Sequence, residues 1–150
     1  MNKRLTIAAA LLLLSASAFA GNLLNTPRAS DVAVGGFDTV AFFTESQAVN
    51  GSPFIKSEYE GATYLFASEE NKAVLDRAPE KYVPQFGGYC AYGVSLGALF
   101  PVDVSTWQVR DNKLYLNLSP EMRAAFDDDF EGNVSKAQGH WPNLVKDHAE

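Results

Sequence analysis

Two short stretches in which apolar and polar residues alternate, each folding back at a tight turn, limit what this chain can become. Phe54 to Tyr59 and Ala62 to Phe66 flank Glu60-Gly61, and Ala62, Tyr64 and Phe66 fall on one face, the period-2 pattern of a β-hairpin. Trp107 to Val109 and Leu114 to Leu118 around Asp111-Asn112 predict a second hairpin, with Leu114, Leu116 and Leu118 alternating against Tyr115 and Asn117. A helix is predicted to follow each. Ser68 supplies an N-cap hydroxyl, Glu69 and Glu70 sit where the helix dipole favours acids, and the segment ends near Ala78, before Pro79. In Ser119-Pro120-Glu121 the serine caps, the proline takes the first helical position, and Ala124, Ala125 and Phe126 continue the helix to Asp127. A last short helix is expected around Asn133 to Gln138, leading into His140-Trp141-Pro142. The sum is a small single α+β domain of two β-hairpins and short helices, with no evident internal repeat or low-complexity tract.

At 150 residues, 47% hydrophobic and 20% charged, the chain suits one globular core. Its formal charge of -6, with basic residues scattered singly through the body of the chain, argues against nucleic acid, which is bound through clustered Lys and Arg. A single cysteine, Cys90, rules out an intramolecular disulfide and a zinc site of the CxxC type.

The N-terminus reads as a secretory signal over residues 1–20. Met1 to Arg4 is basic, Leu5 to Leu14 is almost wholly apolar, and Ala18-Phe19-Ala20 presents small residues at both positions that a signal peptidase reads, placing cleavage between Ala20 and Gly21. The apolar run is about half the roughly 20 residues that a bilayer-spanning helix needs, so no membrane span is expected in the mature chain. Export to the periplasm, or full secretion, follows. Residues 21–33 read as an extended lead-in, 34–145 as the folded domain and 146–150 as a polar tail.

The succession Asp38-Thr-Val-Ala-Phe-Phe43, Tyr59-Glu-Gly-Ala-Thr-Tyr-Leu-Phe66, Pro79-Glu-Lys-Tyr82 and Gly87-Gly-Tyr-Cys-Ala-Tyr92 resembles an exported YHS-domain protein, over about Gly35 to Leu144. The resemblance implies a small module associated with metal, particularly copper. Metal-linked members carry Phe-Cys-Ser-x-x-Cys after the second strand, two thiolates one helical turn apart that suit a soft ion. Here Phe66 and Ser68 remain, but Ala67 and Asn71 stand where the cysteines would be.

Cys90, among three glycines and between Tyr89 and Tyr92, is the remaining strong soft donor. It reads either as a ligand for copper or zinc or as a small buried hydrophobe. His140, and with it Met122, is a further candidate metal ligand, against a plainer reading in which the imidazole packs beside Trp141. Tyr89 and Tyr92 are candidates for lining a ligand pocket, although aromatics in a domain this small serve packing first. Asp127, Asp129, Glu131 and Gly132 fall at the first, third, fifth and sixth places of a calcium loop, but the twelfth is Gln138 where a bidentate glutamate is required. No catalytic residue is singled out: the chain has no HExxH, no phosphate-binding glycine loop and no second thiol to resolve a redox cysteine.

Three readings follow: a non-enzymatic binding module holding a metal ion or small ligand near Cys90; an accessory protein that docks a protein partner while Cys90 is structural; and a cysteine-dependent redox enzyme. Exported protein is expected to begin at Gly21, which the intact mass of periplasmic or secreted material checks; full-length protein recovered with the membranes would make the apolar segment an anchor.

Overall fold

The computed structural model describes residues 23–27 and 30–148; the proposed signal segment and its cleavage site at Ala20 and Gly21 lie outside them. The fold begins with a glycine turn, Ala33–Gly36, in which Val34, Gly35 and Gly36 have φ of 51, 60 and 83°. Left-handed backbone at a β-branched valine is strained by about 1–2 kcal/mol, and Val34 keeps it because its side chain is buried in the core. There follow a single helical turn, α1 (Ala41–Thr44), the hairpin β1 (Ser52–Tyr59) and β2 (Ala62–Phe66), and helices α2 (Glu69–Arg77) and α3 (Pro79–Tyr82). The Glu60-Gly61 turn and the Ser68 cap stand where the sequence places them, Ser68 accepting from Asn71 N at 3.1 Å.

Buried Asp38 ties these elements together. Its Oδ1 accepts from Val40 N at 3.0 Å and Ala41 N at 3.2 Å, and its Oδ2 from Ala67 N at 2.9 Å and Asn71 Nδ2 at 2.8 Å. One carboxylate thus satisfies the start of α1, the exit of β2 and the first turn of α2.

The chain then does the same again. A second glycine turn, Gln85–Gly88, has Phe86, Gly87 and Gly88 at φ of 53, 60 and 80°. It leads into α4 (Ala91–Ser95), a hairpin of β3 (Asp103–Arg110) and β4 (Lys113–Asn117), and α5 (Pro120–Asp128), capped by Ser119. Ser119 lies 51 positions after Ser68, as Asp103 does after Ser52. Even isolated bridges correspond, Val32 to Thr63 and Pro84 to Leu114, both parallel. This corrects the expectation that the chain has no internal repeat. The repeat lies in backbone conformation and element order; few side chains besides the glycine pair, the Tyr64 and Tyr115 positions and the capping serines are kept, so residue identity does not display it.

The two units share their core. Antiparallel β4 is buried on both faces, Leu114 and Leu116 packing with Val40, Phe42, Tyr64 and Phe66, while Tyr115 packs with Phe126 and Phe130. The sequence reading put Tyr115 and Asn117 on the opposite side from the leucines, which holds, but that side is covered by helices. Phe42 of α1 reaches across to Trp107 of β3, ring centroids 5.0 Å apart.

The last helix differs from expectation. Instead of a short helix over Asn133 to Gln138, α6 runs Phe130–His148, through Pro142 and into the stretch read as a polar tail. A proline inside a helix removes one backbone hydrogen bond and costs about 3 kcal/mol. Here Trp141 packs edge-on against Phe86 at 5.9 Å, and Leu144 joins the same cluster, so tertiary contact holds the turns flanking the proline. The lead-in is also held: Asn25 N donates to Gly87 O at 2.9 Å, and any Cβ at Gly87 would overlap the Leu23 carbonyl.

Because Leu114 and Leu116 complete the first unit's core, a fragment of residues 23–86 is expected to lack a cooperative melting transition and to show unfolded far-ultraviolet circular dichroism, whereas residues 23–148 melt in one step.

Candidate functional site

The second glycine turn delivers Cys90 to the interior, with no exposed surface. Its amide donates to Phe100 O at 3.1 Å and its Sγ accepts from Gly93 N at 3.4 Å, so the residue caps α4. The thiol has two candidate acceptors for one proton, Asn117 Oδ1 at 3.6 Å and Met122 Sδ at 3.7 Å. Met122 stands in the first turn of α5, placed there by Ser119, whose Oγ accepts from Met122 N at 3.3 Å. It is half-buried, so the Cys90 sulfur approaches the surface through the thioether.

Asn117 is fully buried at the end of β4. Its backbone is held by Thr106, whose Oγ1 receives Asn117 N at 2.8 Å and donates to Asn117 O at 2.7 Å. Its Oδ1 accepts from Tyr92 N at 3.0 Å, while its buried Nδ2 has no hydrogen-bond partner among the described residues. A buried amide left without a partner costs about 1–3 kcal/mol, so two sulfurs and an incompletely satisfied amide meet here. Asn117 escaped the sequence reading because it was placed on the strand face opposite the leucines; an asparagine following Leu114, Tyr115 and Leu116 in a strand covered on both sides would have been the signal.

The duplication shows how this site differs from its counterpart. Cys90 occupies the place of Asp38, Met122 that of Asn71 and Asn117 that of Phe66. In the first unit the turn residue is a carboxylate that accepts four hydrogen bonds, including those of Ala67 and Asn71, the positions at which the family resemblance implies cysteines, while the neighbouring Thr39 Oγ1 is buried without a partner among the described residues. In the second unit the same corner holds thiol, thioether and amide.

The other candidates are placed elsewhere. The His140 ring lies against Gly97, within about 3.5 Å of where a Cβ would stand. His148 Nδ1 is 2.8 Å from Leu144 O in the last turn of α6. Tyr89 donates its hydroxyl to Leu24 O at 3.2 Å and packs near Trp141, and burial raises its phenol above the ordinary value. Tyr92 contributes its amide to Asn117 and its ring to the second cluster.

The acidic run is divided between two helices. Asp127 receives Gln108 Nε2 at 2.9 Å and faces Arg123, while Asp129 accepts from Gly132 N at 3.2 Å at the start of α6. Asp129 also lies 3.8 Å from Lys136 Nζ, so two of the three successive aspartates have partners, while Asp128 is exposed. Among the described residues no group of three or more His, Cys, Asp and Glu side chains is arranged to hold a metal ion, and no helix is long and apolar enough to cross a membrane.

These features define a small α+β protein built from two similar units around a shared strand. The family model described as YHS domain matches residues 41–86, from α1 into the second glycine turn, and the chain is a YHS domain-containing protein. The Cys90 corner lies just beyond the matched stretch. No curated protein and no solved structure matches the chain.

Asn117→Ala is expected to lower stability by about 2–4 kcal/mol, combining an orphaned Tyr92 amide with a cavity. Urea denaturation of the variant beside wild type checks this; a loss under 1 kcal/mol would show that water or main-chain relaxation replaces the amide.

Proposed function

We propose that this protein is an exported, non-enzymatic YHS-type binding module that holds a soft ion, monovalent copper before zinc, between Cys90 and Met122. The observation that carries the reading is the 3.7 Å separation of the two sulfurs. Two metal–sulfur bonds of about 2.3 Å meeting at a tetrahedral angle put their sulfurs about 3.8 Å apart, so the pair suits an ion that takes a further donor, whereas a linear two-sulfur ion would need the sulfurs about 1 Å further apart. The donors fit copper(I) in softness, since thiolate and thioether favour it, whereas zinc in proteins draws on additional imidazole or carboxylate. Asn117 Oδ1, at 3.6 Å from Sγ, is the nearest harder donor. The half-exposed thioether gives the ion a way in. The YHS domain's association with metal handling supports the same reading, even though the residues that carry it in metal-linked relatives are Ala67 and Asn71 here.

A second reading is favoured by one observation, the complete burial of Cys90 with its Sγ already used as a cap. In it the thiol is core packing and the protein is an accessory module that docks a partner.

Copper(I) titration against a colorimetric chelator separates the two. Wild type is expected to take one equivalent, Cys90→Ala none, and Met122→Leu to bind at least about tenfold more weakly, with His148→Ala unchanged. His140→Ala is expected to behave as wild type, because its ring faces Gly97. If wild type removes no copper from the chelator, Cys90 is structural and the metal reading falls.

A further inference from the structure

A second site lies where the two units meet, away from Cys90. An open cleft of about 520 Å³ is walled by Phe42 and Phe43 of α1 on one side and by Trp107 and Gln108 of β3 on the other, with Arg123 of α5 at its edge. Trp107 is half-buried, its ring backed by Phe42 at 5.0 Å, so one part of the indole is fixed while another faces the cleft.

The polar side is a built network. Gln108 Nε2 donates to Asp127 Oδ1 at 2.9 Å, Arg123 Nε lies 3.7 Å from Asp127 Oδ2, and Arg123 Nη1 donates to Trp107 O at 3.2 Å. These contacts orient the guanidinium and leave its Nη2 edge unused among the hydrogen bonds of the described residues. With Nε and Nη1 engaged, Nη2 is left to offer a carboxylate a charge-assisted hydrogen bond.

The first unit carries the same network without the cleft. Ser57 donates to Asp76 and Lys72 pairs with it at 2.7 Å, at positions corresponding to Gln108, Asp127 and Arg123. There the counterpart of Trp107 is Lys56, exposed to solvent. The network by itself is therefore a structural feature of each unit. What the second unit adds is an indole for the lysine, an arginine for the ammonium, and two phenylalanines brought across from the first unit to form a wall. Together these changes set aromatic walls and a guanidinium donor beside an ion pair that is about as exposed as that of the first unit.

We infer that this cleft binds a small aromatic carboxylate, its ring between Trp107 and Phe43 and its carboxylate on the outer edge of Arg123. An ammonium ligand would meet the arginine, and a neutral one would leave the guanidinium edge unmatched, so charge and shape select the same class.

The test uses benzoate, benzamide and benzylamine as anionic, neutral and cationic probes of one ring, followed by calorimetry and by the indole N–H signal of Trp107 in a nitrogen-15 spectrum. Benzoate is expected to saturate below about 10 mM and to shift the Trp107 signal, with benzamide at least about tenfold weaker, the worth of one charge-assisted hydrogen bond, and benzylamine weaker still. Arg123→Gln should bring benzoate down to the level of benzamide while leaving benzamide unchanged, which separates loss of the carboxylate contact from loss of the fold. Trp107→Leu should weaken both. The inference is overturned if benzoate does not saturate by 10 mM, if benzamide or benzylamine binds as well as benzoate, if Arg123→Gln leaves benzoate unaffected, or if the shifts centre on Trp141.

Discussion

The buried carboxylate of Asp38 is the constraint on which the first half of the structure depends. A left-handed turn through Val34, Gly35 and Gly36 sends the chain sharply inward, exposing the amides of Val40 and Ala41 to an apolar interior where water cannot serve them. Asp38 satisfies both and, with its other oxygen, fastens the beginning of α2. An ionised group with no exposed surface is tolerable only when its lone pairs are occupied, and four donors within hydrogen-bond distance achieve that.

The second half meets the same geometric demand by other means. With cysteine at the turn, the sulfur accepts from Gly93 N, but the Tyr92 amide, which corresponds to that of Val40, goes to Asn117. The polar group has moved from the turn to the strand. That exchange frees the corner from a closed hydrogen-bond cluster and lets a thiol and a thioether meet. It also leaves Asn117 Nδ2 without a partner among the described residues, a local cost that packing around Phe126 and Tyr115 offsets. Two copies of one backbone arrangement thus meet the same geometric demand with different side chains.

The junction between the copies has consequences of its own. Strand β4 belongs to both clusters, so neither unit has a complete core alone. The aromatic residues of α1 cover β3 of the other unit, and the cleft beside Arg123 exists only because of that crossing. The YHS-domain match covers residues 41–86, narrower than the stretch from about Gly35 to Leu144 over which the sequence resembles the family, so it takes in most of one unit and the turn that opens the next, while both proposed sites draw on residues of the second unit.

Much of the local structure was legible in the chain itself. Turn dipeptides at Glu60-Gly61 and Asp111-Asn112, capping serines at Ser68 and Ser119, and alternation through Ala62, Tyr64 and Phe66 act over a few residues, and each stands as read. Other features were decided only in three dimensions. Whether Pro142 would end the last helix depended on the contacts of Trp141 with Phe86, and whether Asn117 faced solvent depended on the helices laid over β4. The duplication was hidden because backbone shape can persist while side chains diverge. Met122, rather than His140, became the neighbour of Cys90 because the Ser119 cap fixes the first turn of α5 against the second glycine turn, a proximity between residues 32 positions apart that no local pattern encodes.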